Sequence, residues 1–256
     1  MRLFRRHKHK DPDTWNVRSM FGPGLNFATA EAYKLLRTNL MFSFPNEQKC
    51  HIVGISSSIQ EEGKSTVTCN LAYSLAQAGV SVLLIDADLR KPSVASKLCV
   101  ERVPGLTNLL VSREDYKKVI QQSPHAPGVD LLTAGDIPPN PSELLGSNRM
   151  QELIKEMSKD YEYILIDLPP VTIVSDTVVL SKILDGVIAV VRGGVAQKKF
   201  LEEMLRQLQL VNLRVLGFVY RDLLSDSGYY YKNYKGKYHY YRYGRGYSRS
   251  SSRKSS

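Results

Sequence analysis

His51-Ile52-Val53-Gly54-Ile55-Ser56-Ser57-Ser58-Ile59-Gln60-Glu61-Glu62-Gly63-Lys64-Ser65-Thr66 is the stretch that decides the fold. Its apolar start predicts a strand, and Val67 to Ala76 predicts a helix after it. Strand, loop, Gly-Lys-Ser and helix together are the layout of a phosphate-binding loop. Such a loop aims backbone N–H groups and a helix N-terminus at one point, where the helix dipole favours an anion. Gly63 lets the backbone come close, Lys64 has the reach for β- and γ-phosphates, and the Ser65 hydroxyl suits Mg²⁺. The strict pattern has Gly at position 58, where this chain has Ser58. The alternative reading is a surface loop with a lysine opening an ordinary helix.

Working outward, two further strands end in acids. Val80 to Ile85 runs into Asp86-Ala87-Asp88-Leu89-Arg90-Lys91-Pro92, and Tyr163 to Ile166 runs into Asp167-Leu168-Pro169-Pro170. Carboxylates at the carboxyl ends of strands sit where ligands bind in open α/β sheets. Asp86, Asp88 and Asp167 are therefore candidates for Mg²⁺ binding, and one of the first two for contact with an attacking group. Both strands lack interspersed polar residues, as strands buried on two faces do.

The remaining pattern alternates strands with helices. Asn26 to Met41, Ser147 to Lys159, Asp176 to Ile183 and Gln197 to Gln209 read as helices, with Pro141 starting a short one. Val129 to Thr133, Gly186 to Val191 and Leu213 to Tyr220 read as strands. Residues 93–128 give a weaker pattern, with short helices at 105–110 and 116–120. The expected fold is α/β: a doubly wound, mostly parallel sheet with helices on both faces.

The net charge of +10 is concentrated at the ends. Residues 1–10 carry five basic side chains and residues 229–256 carry eight, with no acid in either. Removing those thirteen charges leaves −3 for residues 11–228. That balance argues against a whole-domain nucleic-acid binder. No apolar run approaches the ~20 residues of a membrane span. Cys50, Cys69 and Cys99 show no metal or redox spacing and read as reduced thiols.

Residues 229–247 hold nine of the fifteen tyrosines and no aliphatic residue: Tyr229, Tyr230, Tyr231, Tyr234, Tyr238, Tyr240, Tyr241, Tyr243 and Tyr247. This composition cannot build a core and reads as a disordered tail. It is either a low-complexity end, an aromatic and basic platform for single-stranded nucleic acid, or a set of hydroxyl acceptors carried beside an ATP site.

Taken together, these features resemble the bacterial tyrosine kinases (BY-kinases) of capsule and exopolysaccharide synthesis. The resemblance covers about residues 25–247. It rests on Glu31-Ala32-Tyr33-Lys34-Leu35-Leu36-Arg37-Thr38-Asn39, the phosphate loop, Leu84 to Pro92, Gly135 with Pro138-Pro139-Asn140-Pro141, Ile166 to Pro170, and the tyrosine-rich tail. It implies a basic arm at 1–24, a kinase domain at 25–226 and a tail at 227–256. It implies ATP and Mg²⁺ as cofactors, held by Ser58, Glu62, Gly63, Lys64, Ser65 and Thr66, with Ser65, Asp86, Asp88 and Asp167 around the metal. It gives catalytic roles to Lys64, Asp86 and Asp88, and makes the nine tail tyrosines acceptors, phosphorylated between subunits of a ring.

The same resemblance implies partners. Glu31, Lys34 and Arg37 form the subunit contact. A membrane adaptor of the polysaccharide co-polymerase type activates the kinase and holds it, cytoplasmic, at the inner face of the membrane. A cognate phosphotyrosine phosphatase is expected, and no nucleic acid. The chain departs from the family at two places. Lys34 stands where the contact motif has Arg, keeping the charge but not the bidentate fork. Gln60 and Glu61 stand where the loop usually has Pro-Gly. A partitioning-type ATPase switch with a binding-only tail is the rival reading. It would carry a second lysine early in the loop, and this loop has none.

Overall fold

The computed structural model describes residues 21–44, 49–112 and 114–221. The basic arm up to residue 20 and all nine tail tyrosines lie outside the described residues. The strands are β1 (His51–Ser57), β2 (Val82–Asp86), β3 (Gln121–Gln122), β4 (Asp130–Leu132), β5 (Tyr163–Asp167), β6 (Gly186–Arg192) and β7 (Val215–Arg221). The helices are α1 (Phe27–Phe42), α2 (Lys64–Ala76), α3 (Val94–Leu98), α4 (Leu106–Val111), α5 (Pro141–Leu145), α6 (Asn148–Met157), α7 (Asp176–Leu180) and α8 (Lys198–Leu210).

One sheet has the order β3-β4-β2-β5-β1-β6-β7, parallel throughout except for the short edge strand β3. β1 lies between β5 and β6, and β5 lies between β1 and β2. The loop after β1 and the acidic ends of β2 and β5 therefore emerge side by side at the carboxyl edge. In register, Asp86 pairs with Asp167, and Ile55 pairs with the same Asp167.

Side chains alternate between two cores. Leu83, Ile85, Ile164, Ile166 and Val187 pack with Leu109, Met150, Leu153, Met204 and Leu208 on one face. Val53, Ile55, Leu84, Leu165 and Val190 pack with Val67, Leu71, Leu75 and Leu98 on the other. Each fully buried leucine of this kind contributes about 1.5–3 kcal/mol. β2 and β5 are buried along their whole length, as their unbroken apolar runs imply.

Local signals set the helix ends. Asn26 accepts from the Thr29 amide and caps α1, and Ser147 does the same for α6 through Met150. Upstream of α1, Phe21 is buried and the Gly22 amide donates to Asn70 of α2 at 3.1 Å. Phe21 and Gly22, assigned from sequence to the basic arm, are thus packed against the domain. Among the described residues, no helix is long and apolar enough to cross a membrane.

Candidate active site

The phosphate loop leaves β1 and turns into α2 at Gly63, which has φ +89°. Only glycine adopts that conformation cheaply, and the Arg221 guanidinium packs directly over its Cα. Inside the loop, the buried Glu62 carboxylate accepts from the Ser58 hydroxyl and the Ile59 amide, both at 2.9 Å. Ser58 and Glu62, expected as nucleotide contacts, hold the loop's shape from within. Gly63, Lys64, Ser65 and Thr66 line the cavity in front of it.

Two arginines brace the loop from the neighbouring strands. Arg192 at the end of β6 donates to the Glu61 carbonyl at 3.1 Å, and Arg221 at the end of β7 donates to the Glu62 carbonyl at 3.4 Å. Burial lowers the Arg221 pKa. Glu61 has φ +63°, a left-handed conformation that glycine adopts at lower cost. Its side chain is exposed at the cavity rim, and Gln60 beside it accepts from Lys91 at 2.9 Å. Neither arginine was legible from sequence, because each contact joins residues more than 130 positions apart.

Lys64 is clasped by two acids. Its Nζ lies 2.8 Å from Asp88 Oδ2 and 3.7 Å from Asp167 Oδ2. Burial works against its charge, but Asp167 and Asp88 prevail and raise its pKa. Asp167 is fully buried, and burial raises its own pKa. It bonds the Ser65 hydroxyl and accepts from Thr68 Oγ1 at 3.3 Å. Its Oδ2 has no hydrogen-bond partner. A buried carboxylate oxygen that accepts no hydrogen bond and faces Lys64 Nζ at 3.7 Å, on an acid that also bonds the Ser65 hydroxyl, suits a hard cation that keeps most of its waters. Among the described residues no three acids, histidines or cysteines converge as an all-protein metal cage.

The structure gives the two acids after β2 different places. Asp88 lines the cavity. Asp86 is wholly enclosed: Oδ2 accepts from the Ser93 and Val94 amides at 3.1 and 3.0 Å, and Oδ1 from the Asp88 amide at 3.2 Å. It fixes the loop and the start of α3, a helix that the sequence pattern did not reveal. Burial, with the neighbouring Asp167 charge, pushes the Asp86 pKa up to about 7.

Arg90 was not singled out from sequence. Its Nε donates to Asp176 Oδ2 at 3.1 Å, and its Nη2 to Ser142 at 3.1 Å and Asp176 Oδ1 at 3.3 Å. Asp176 is fully buried at the start of α7, so this guanidinium is fixed in place. The cavity, about 470 Å³, is walled by Lys64, Asp88, Arg90, Lys91 and Lys97, and by Pro169, Pro170, Ile173 and Val174.

The expected subunit-contact residues lie on α1, away from this cavity. Lys34 and Glu31 pair within the helix at 2.7 Å, and Arg37 donates to the Ser74 carbonyl of α2 at 2.7 Å.

Residues 52–216 match the family described as AAA domain. The chain is 37% identical over 205 residues to the tyrosine-protein kinase YwqD of Bacillus subtilis, covering 78% of this chain and 86% of the relative. The chain belongs to the bacterial tyrosine-protein kinase family. The putative tyrosine-protein kinase CapB of Staphylococcus aureus is 33% identical, with 79% of this chain and 89% of the relative covered. Against the tyrosine-protein kinase ptk of Acinetobacter johnsonii, only 27% of the longer relative is covered. The kinase domain of the Escherichia coli tyrosine kinase ETK superposes with a TM-score of 0.71 at 30% identity, covering 84% of this chain and 80% of that one. The septum site-determining protein MinD of Pyrococcus horikoshii, complexed with Mg-ADP, shares the fold at 24% identity and a TM-score of 0.55. The chain is therefore a nucleotide-binding tyrosine kinase on the partitioning-ATPase fold, of the family tied to capsule and exopolysaccharide synthesis.

Proposed function

We propose that the chain transfers the γ-phosphoryl group of Mg·ATP to the tyrosines at 229–247 of a neighbouring copy. The arrangement that carries this reading is Lys64 between Asp88 and Asp167, with an Asp167 oxygen that accepts no hydrogen bond on the acid that also bonds Ser65. Asp167 and Ser65 would hold Mg²⁺, which neutralises charge on the phosphates. Loop amides, the α2 N-terminus and Lys64 hold the triphosphate. A bond forms between tyrosine oxygen and the γ-phosphorus as the bond to the β,γ-bridging oxygen breaks. Phosphates that draw Lys64 forward free Asp88 Oδ2, so Asp88 takes the phenolic proton late in transfer. Asp86 then acts as the positioning residue for Asp88, through its bond to the Asp88 amide.

The wider expectations join this proposal. Glu31, Lys34 and Arg37 mediate assembly of a ring. A membrane adaptor of the polysaccharide co-polymerase type activates the kinase at the inner face of the membrane, and a phosphotyrosine phosphatase reverses its product. Each phosphate adds about −1.5 to −2 charges. Four or five would cancel the tail's eight basic residues, which makes phosphorylation a device for releasing the tail and loosening the assembly.

Intact mass after incubation with Mg·ATP and a cytoplasmic adaptor fragment tests the reading. Wild type should gain phosphate-sized steps confined to 229–247, and Lys64→Met should gain none. ATP turnover with an unmodified mass would instead mark a switch ATPase with a binding-only tail.

A further inference from the structure

Three basic side chains follow Asp88 around the cavity wall: Arg90, Lys91 and Lys97. Lys64 marks the transfer end of the site by its bond to Asp88, so this wall stands where an acceptor tyrosine must arrive. Arg90 is fixed by Asp176 and Ser142. Among the described residues, no carboxylate forms an ion pair with the side chain of Lys91 or Lys97, and the Lys91 ammonium donates to neutral Gln60 at 2.9 Å. The other wall of the same cavity is apolar, formed by Pro169, Pro170, Ile173 and Val174.

A basic wall is a poor receiver for the tail as synthesised. Residues 229–256 carry eight basic side chains and no acid, so an unmodified tail is repelled. A phosphotyrosine reverses the sign locally. It brings about −1.5 to −2 charges on oxygens that fixed arginine and lysine groups recognise well, and its ring suits the apolar side.

We infer that Arg90, Lys91 and Lys97 form a phosphotyrosine subsite beside the transfer site, which captures a tail already phosphorylated once and speeds its later phosphorylations. This rests on the kinase reading and deepens it. The acceptors suit such a mechanism, since seven of the nine lie within Tyr229–Tyr241. The first transfer is then the slow one, and each product is a better substrate than its precursor.

The test uses the full-length protein with Mg·ATP and the cytoplasmic adaptor fragment, and follows intact mass over time. Wild type should show two populations, unmodified and multiply phosphorylated, with few singly modified chains. Lys91→Ala/Lys97→Ala and Lys97→Ala alone should fill the ladder one step at a time, and Lys91→Arg/Lys97→Arg should restore the gap. A peptide of residues 229–247 phosphorylated at Tyr234 should show a KM about tenfold lower than the unmodified peptide, the worth of one hydrogen bond to a charged group. That preference should shrink as salt rises, and should fall to parity in the double alanine variant.

Equal KM values for the two peptides, or a stepwise ladder in wild type that still makes phosphotyrosine, would overturn the subsite alone. A rise in the KM for ATP in the lysine variants, without loss of peptide preference, would assign these lysines to the nucleotide. Absence of phosphotyrosine from wild type would remove the kinase reading and the subsite together.

Discussion

Asp86→Asn should stabilise this protein at pH 8 and destabilise it at pH 4. The Asp86 carboxyl is fully enclosed beside Asp167, and its pKa rises from 3.8 to about 7. In the folded state it is thus the weaker acid, and folding takes up a proton between about pH 4 and pH 7. Below that window both states are protonated and the group costs nothing. Stability falls as pH rises through the window, and the full cost stands above pH 7. Three units at 1.36 kcal/mol each make that cost about 4 kcal/mol. Asparagine abolishes the charge but spoils part of the site. One carbonyl oxygen can serve the Ser93 and Val94 amides or the Asp88 amide, but not both, and the amide left unpaired costs about 1–3 kcal/mol. The net expectation is a gain of about 2 kcal/mol at pH 8, or a Tm about 4–8 °C higher, and a loss of about 1–3 kcal/mol at pH 4 from the unpaired amide alone. Thermal melts of wild type and variant across that range, without nucleotide or Mg²⁺, give the curve. A variant less stable by the same margin at every pH would show that the buried carboxylate carries no charge penalty.

Three further substitutions follow from the loop. Lys64→Met leaves Asp88 and Asp167 buried without their cation and should cost about 3–5 kcal/mol near neutrality; urea titrations should show the loss easing toward pH 5 as Asp167, whose pKa burial raises, takes up a proton, and a pH-independent loss would contradict this. Gly63→Ala places a Cβ 1.3 Å from Arg221 Nη1 at φ +89°. The arginine can shift but the backbone strain stays, about 1–2 kcal/mol, so isothermal titration with ATP should show a loss of affinity of about five- to thirtyfold that Arg221→Ala does not restore. Glu61→Gly relieves about 1–2 kcal/mol of left-handed strain against about 0.5–1 kcal/mol of glycine entropy. Its Tm should rise by up to about 6 °C, and a fall would show that the Arg192 contact had already offset the strain.

The sequence by itself determined the sheet, the loop and the acids. The apolar runs before Asp86 and Asp167 can satisfy their backbones only as central strands, and Gly63-Lys64-Ser65 between a strand and a helix has one common use. It missed α3 and β3 because five residues and two residues are too short to show a period. Only the tertiary structure separated Asp86 from Asp88. Both end the same strand, but β5 pairs alongside and α3 closes over Asp86, while Asp88 stays on the cavity. Only the tertiary structure joined Arg90 to Asp176, 86 positions away, and Arg221 to Glu62, 159 positions away. Periodicity reports what one segment needs from its surroundings. Which distant charge meets which carbonyl or carboxylate is set by strand order and register, which no single segment contains.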